Sequence, residues 1–216
     1  QQQSLSQNSS NNESPDINPN GKQKINLHTD VDEVSGGLNY SYDINIPQGR
    51  NGVTPKVALN YNSSSKENNS PFGYGWNISI PYIERLNRHG SESIYTYNEF
   101  TSSIDGELVE LSPGVYIPKN QNGSFNKYIL SSNGWYFIDK YGTKYSFGSS
   151  VNDKVYDSAD PSHIYKWYLT KNEDLNGNFV LFEYFKDNNQ LYPKNIYYTG
   201  NGAFNGIYKI SFFTET

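Results

Sequence analysis

The chain has 216 residues, a formal net charge of −5, and 20 Tyr, 11 Phe and 3 Trp, with no Cys and no Met. The acidic balance and the lack of any Lys/Arg cluster exclude a basic face for nucleic acid. Without Cys there is no disulfide and no thiolate metal site, and no apolar run approaches the ~20 residues of a membrane-spanning helix. The aromatic-rich composition suits pleated, half-buried strands. With no initiator Met, the chain is expected to be a processed form or a piece of a longer polypeptide.

Residues 1–24 are Gln, Ser, Asn and Pro with almost no apolar side chains. Such a segment cannot bury enough surface to offset its ordering entropy, so it is expected to be a disordered tail. From residue 25 to 216 one all-β domain is expected. Tyr40, Tyr42, Ile44 and Ile46 alternate with polar residues at a period of two. Val57, Leu59 and Tyr61 repeat the pattern, as do Trp76, Ile78 and Ile80. Later candidate strands are Ser93–Tyr97, Glu107–Leu111, Lys127–Ser131, Trp135–Asp139, Thr143–Phe147, Tyr165–Lys171, Phe179–Phe185, Asn195–Tyr198 and Ile207–Phe213. About twelve short, mostly antiparallel strands at hairpin spacing define the class.

The turns agree. Asn-Gly pairs at 51–52, 133–134, 176–177 and 201–202 supply the positive φ that tight hairpins need. Gly148–Pro161 is the longest connection and the best internal boundary. Two segments share a grammar of aromatic strand, Asp, Gly, aromatic strand: Trp135…Asp139…Gly142…Tyr145, and Trp167…Asp174…Gly177-Asn178…Tyr184. Hairpins of this kind can add side by side into a long sheet.

One ordered set of residues stands out. Pro47, Gly49, Arg50, Gly52 and Pro55 shape a connection that leads into a strand bearing Tyr61. Gly73, Gly75 and Trp76 follow, then Arg85. Downstream come Trp167, Asp174, Gly177 and Asn178. This order resembles the N-terminal domain of the SpvB / insecticidal toxin complex B-component family, over about residues 36–216. Two departures are visible. Ser70-Pro71 stands where the family has a Gly, and the strand Tyr208–Phe213 ends without the acidic and Arg residues that usually follow, so the domain is expected to be cut short. The resemblance implies a secreted or surface-delivered bacterial virulence module without cofactor. Its partners would be other domains of the same polypeptide (a β-propeller and Rhs/YD repeats) and toxin-complex subunits. Together these form a β-shell around a toxic cargo. The plasmid virulence protein of that family adds a separate ADP-ribosyltransferase domain, of which this chain carries no sign.

Read for chemistry, the residues point to structure. Arg50 and Arg85 are expected to tie loop carbonyls together with their five donors. Trp76, Trp135 and Trp167 are expected to anchor the core. Asp174-Leu-Asn176-Gly-Asn178 opens like a calcium loop but carries Phe179 and Phe185 where Gly and Glu are required. His28, His89 and His163 form no ligand pair, and there is no GxSxG elbow. Glu84, Glu107 and Glu110 are the candidates for a glycosidase carboxylate pair. The alternative to the shell module is a carbohydrate-binding β-sandwich of a secreted or surface protein, and a further one is a hydrolase using such carboxylates.

Overall fold

The computed structural model describes residues 27–31, 37–64, 72–121, 123–188 and 190–213, with backbone only for 27–31. The tail expected over 1–24 lies outside the described residues. The period-two segments become strands in two antiparallel sheets. The small sheet has the order β1 (Leu27–Val31), β2 (Leu38–Asp43), β3 (Ala58–Asn62), β4 (Trp76–Ile78). Its register sets Tyr40 beside Tyr61 and Tyr61 beside Trp76, so the three rings share one face.

The large sheet begins with a meander of β5 (Tyr82–Arg85), β6 (Phe100–Ser102), β7 (Gly106–Ser112), β8 (Val115–Pro118), β9 (Tyr128–Ser131), β10 (Gly134–Ile138) and β11 (Lys144–Phe147). β12 (Lys154–Tyr156) follows, then the long strand β13 (Ile164–Glu173). β13 pairs with β5 through Lys166, Trp167 and Tyr168, and with β11 through Leu169 to Glu173. The path therefore returns to its start, and eight strands close into a barrel.

β13 forks as it does so. Its first half holds β5 on one edge and β12 on the other; its second half holds β14 (Asn178–Asp187) and β11. From β14 an open meander leaves the barrel through β15 (Gln190–Asn201) to β16 (Tyr208–Ser211).

An eight-stranded barrel is just wide enough to be filled by side chains. Alternation turns Ile83, Phe100, Leu108, Tyr116, Tyr128, Trp135, Phe137, Phe147, Trp167 and Leu169 inward, and all are buried. The rings interlock edge to face: Phe100 lies 4.8 Å from Trp135 and 5.3 Å from Tyr116, and Trp135 lies 6.0 Å from Trp167. Such pairs add to the area burial that dominates stability. Val57 and Ile80, from the segments flanking the small sheet, join the same core cluster, with Ile44, Ile46 and Val53 packed against it.

Four sequence readings shift. Ser93–Tyr97 is not a strand: a 3-10 turn over Ser91–Ser93 leads into further turns, with Ile94 in the right-handed helical region. The reason is packing, since this loop carries Tyr95 over to Arg85 and His163. Strands β5, β6, β8 and β12, each of three or four residues, were too short to show a period. Gly148–Pro161 contains a 3-10 turn (Val151–Asp153) and β12, which pairs with β13. Trp76 is half-buried on the small sheet, whereas Trp135 and Trp167 lie in the barrel.

Candidate functional site

The residues singled out by sequence gather at three places. The first joins the Pro47–Pro55 connection to the turn after β13. Asn51 takes φ 50 and Gly52 φ 77, the left-handed pair of an Asn-Gly turn. The Gly49 amide donates to Thr54 Oγ1 at 2.7 Å, and Pro55 is buried; Pro47 and Arg50 are exposed. Asn51 Nδ2 donates to Asp174 Oδ2 at 3.2 Å.

Asp174 organises its own turn. Its Oδ1 accepts the amides of Asn176 and Asn178, both at 2.8 Å, and its Oδ2 also accepts Asn178 Nδ2 at 2.9 Å. Gly177, at φ 77, returns its amide to the Asp174 carbonyl at 3.0 Å. Burial pushes the carboxyl up, but the bonds from the Asn178 and Asn51 side chains and from the Asn178 and Asn176 backbone outweigh it and hold the pKa at about 2. A carboxylate engaged by four N–H donors has no lone pair left to coordinate calcium in the way the loop's opening residues suggested. Asp139-Lys-Tyr-Gly142 repeats the design: Asp139 Oδ1 accepts the Tyr141 and Thr143 amides at 2.9 Å, and the Gly142 amide returns to the Asp139 carbonyl at 3.0 Å.

The second place is the small sheet. Gly75, at φ 76, sits under Tyr61, where an added Cβ would meet the ring at 2.8 Å and the Asn62 carbonyl at 2.9 Å. Gly73, at φ 100, accepts the Trp76 amide at 3.1 Å through its carbonyl. The turn thus delivers Trp76 against Tyr61 and Tyr40, at 5.1 and 5.7 Å.

The third is one end of the barrel. Arg85 Nε donates to the Ile164 carbonyl at 2.9 Å and an Nη to the Tyr97 carbonyl at 3.0 Å. Its guanidinium lies over Phe100 at 5.0 Å and within 5.9 Å of the Trp167 ring centre. Burial lowers its pKa from the ordinary value.

The other candidates are dispersed. Glu84 pairs with Lys166 at 3.0 Å, Glu107 with Arg88 and Lys119 at 2.6 and 3.0 Å, and Glu110 accepts the Gly114 amide at 3.1 Å. Each carboxylate faces its own donors rather than another carboxylate. His89 lies against Glu99 and His163 against Asp160, each at 3.4 Å, while the His28 side chain is outside the described structure. Among the described residues no three His, Asp or Glu side chains gather as metal ligands. The polar network that sequence reasoning missed joins Ser102, Asp105, Asn126 and Tyr128: the Tyr128 hydroxyl and Asn126 Nδ2 both donate to Asp105 Oδ2. Its members come from two chain stretches, 102–105 and 126–128, so no local motif announces it.

Comparison with known proteins gives this geometry a context. The family described as Salmonella virulence plasmid 65kDa B protein (SpvB) matches residues 32–124 and 120–203. The chain is similar to the crystal structure of TcdB2-TccC3, with 20% identity and a TM-score of 0.67 over 80% of this chain and 10% of that one. It is similar to the N-terminal domain of effector protein SpvB from Salmonella typhimurium strain LT2, with 23% identity and a TM-score of 0.61 over 74% of this chain and 65% of that one. It is also similar to the Photorhabdus luminescens Tc holotoxin pore, with 18% identity and a TM-score of 0.59 over 80% of this chain and 10% of that one. The chain thus spans 10% of the toxin-complex chains and 65% of the SpvB structure, and at these identities the likeness is one of fold. No curated protein matches the chain.

Proposed function

The chain belongs to the SpvB family, and from that premise we propose that it is a non-catalytic structural module of a secreted, toxin-complex type of protein. Its task is to extend a β-walled shell that encloses or delivers a toxic cargo. Its partners are further domains of the same polypeptide and toxin-complex subunits.

One observation carries this reading. The open meander ends at β16, whose outer edge pairs with no strand among the described residues. The Phe212 amide donates inward to the Lys194 carbonyl at 3.0 Å. Backbone amides alternate along a strand, so those of Lys209 and Ser211 face outward, where another strand can add. The barrel interior occupied by its own side chains, Phe100, Tyr116, Trp135 and Trp167 among them, supports the same reading of a structural role.

The test uses that edge. Proline at Lys209 removes an outward amide that no internal bond needs. The wild-type chain is expected to self-associate through the edge in sedimentation velocity. Lys209→Pro is expected to be monomeric with a melting temperature close to wild type. A wild-type chain that stays monomeric at all concentrations, with a high cooperative melting point, would count against a shell-extending edge.

A further inference from the structure

Five Asn-Gly pairs lie in the described turns, at 51–52, 133–134, 176–177, 201–202 and 205–206, while Asn20 and Asn122, each also followed by Gly, lie outside the described residues. Asn-Gly is a chemically labile pair as well as a turn former. The Gly amide nitrogen, with no side chain beside it, attacks the Asn side-chain carbonyl carbon and expels ammonia. That attack requires an Asn side chain free to swing and a Gly amide free of a hydrogen bond.

Four of the five pairs are held. Asn51 Nδ2 is tied to Asp174 Oδ2 at 3.2 Å. Asn201 Nδ2 donates to the Asn176 carbonyl at 2.9 Å and to Asn178 Oδ1 at 3.2 Å. After Asn176, the Gly177 amide donates to the Asp174 carbonyl at 3.0 Å. After Asn133, Gly134 faces Ser131 across the hairpin. The Leu130 amide turns the other way, to the Gly114 carbonyl at 2.9 Å, so Ser131 and Gly134 form a hydrogen-bonded pair.

Asn205-Gly206 lacks every one of these restraints. Asn205 is exposed, and neither its side chain nor the Gly206 amide makes a hydrogen bond among the described residues. The backbone around the pair is nonetheless tight. Gly206 takes φ 100, and a Cβ there would collide with the Tyr198 carbonyl. The buried Thr199 sits at φ 67, a costly conformation for a β-branched residue, and its Oγ1 accepts the Ile207 amide at 3.1 Å. These contacts set where β16 begins against β15.

We propose that Asn205 is a self-modification site whose deamidation loosens β16. The Gly206 nitrogen bonds to Asn205 Cγ, the Cγ–Nδ2 bond breaks, and ammonia leaves with the proton that the amide gave up. Water then opens the succinimide ring, its hydroxyl going to a carbonyl carbon and its proton to the ring nitrogen. Opening at Cγ leaves Asp. Opening at the other carbonyl leaves isoaspartate, in which the main chain runs through Cγ and gains one carbon. That extra atom has no room in a turn where Gly206 already packs closely on β15, so β16 must shift or part from it. The proposal concerns covalent chemistry and stands apart from the shell reading.

The experiment ages the 216-residue chain in mildly alkaline buffer and maps its peptides by mass spectrometry, with fragmentation that distinguishes isoaspartate from Asp. In the folded chain Asn205 should react about tenfold faster than Asn51, Asn133, Asn176 and Asn201, the factor that one hydrogen bond to be broken supplies. In urea, where only the shared Asn-Gly sequence remains, the five rates should converge. The Phe212 amide donates inward, so those of Tyr208 and Ile210 do too. The isoaspartate form should exchange these two amides about tenfold faster than fresh chain. Asn205→Gln alters a side chain without described bonds; it should fold like wild type, resist modification and keep both amides protected after the same ageing. The proposal is overturned if the folded chain modifies the five sites alike, if Asn205 is spared while another reacts, or if the folded ranking persists in urea. It is equally overturned if the isoaspartate form protects Tyr208 and Ile210 as well as fresh chain does, or if aged Asn205→Gln loses their protection.

Discussion

The side-chain amide of Asn51 donates to Asp174 Oδ2 at 3.2 Å, a bond between residues 123 positions apart. It fixes the connection between β2 and β3 to the first turn beyond the barrel seam. Two stretches that a sequence reader meets as separate motifs are one piece of structure.

The Asp174 carboxylate, held ionised against its burial by Asn178 first and then by Asn51, makes stability acid-sensitive. Asp174 has a folded pKa of about 2 against an ordinary 3.8, so its contribution is complete above 3.8 and lost as pH falls towards 2. Asp174→Asn is expected to melt lower at neutral pH, because an amide cannot accept all four donors. It should also show a shallower fall in melting temperature between those two pH values. Thermal melts in an acid series decide this, and equal slopes in the two proteins would refute it.

At the alkaline side Tyr128 plays the reverse part. Burial, then its hydrogen bond to Asp105, raises its pKa, and burial, then Glu110, pushes Tyr116 up to about 12. A raised phenol stabilises the fold below its unfolded pKa of about 10, and that stabilisation is lost as pH climbs through the folded value. Tyr128→Phe should be less stable at neutral pH by ~1–3 kcal/mol, since Asp105 loses a partner. Its stability should nevertheless fall less steeply in alkali. Chemical denaturation across an alkaline series, followed by phenolate absorbance, gives both numbers.

Trp135 sits at the centre of the ring cluster, and its indole N–H has no hydrogen-bond partner among the described residues. Trp135→Ala should cost ~3–5 kcal/mol in urea unfolding. Trp135→Phe should cost clearly less, because the N–H it removes made no bond. Similar losses for the two would mean that the N–H has a partner in solution.

Gly75 and Gly52 have nearly the same φ, 76 and 77, but different surroundings. At Gly52 an added Cβ meets nothing within 4 Å, and at Gly75 it meets Tyr61 and the Asn62 carbonyl. Gly52→Ala should therefore cost only the ~1 kcal/mol of a left-handed alanine. Gly75→Ala should cost ~1–3 kcal/mol more, through the displaced ring and backbone. Equal costs, measured by denaturant melts, would show that backbone strain alone governs both sites.

The sequence made the class and most hairpins legible, because period-two alternation and Asp/Asn-Gly turns are local signals. Trp135–Asp139, Thr143–Phe147 and Phe179–Phe185 overlap β10, β11 and β14 for that reason. Closure was not legible. It depends on β13 pairing with β5 across some eighty residues, and neither Tyr82–Arg85 nor Phe100–Ser102 is long enough to show a period. Ser93–Tyr97 alternates like a strand, but its Tyr95 is drawn into stacking with His163, 4.3 Å away. Among the site residues, the turn glycines and Asp174 were readable as turn chemistry. The partner of Asp174 was not, since no local rule connects Asn51 to it. The Ser102–Asp105–Asn126–Tyr128 network was hidden for the same reason.

The fork in β13 has a mechanical consequence. Tension on the meander through β14 enters β13 in its second half, and the barrel holds the first half through β5. The barrel also grips the second half through β11, at Leu169–Glu173, so the load passes into the barrel on both sides of Leu169, which is clamped with Trp167 in the aromatic interior. A pull on the far sheet is therefore borne by antiparallel hydrogen bonds working together along the strand and by a solid plug behind them. The barrel is an anchor bolt for whatever is built onto its free strands.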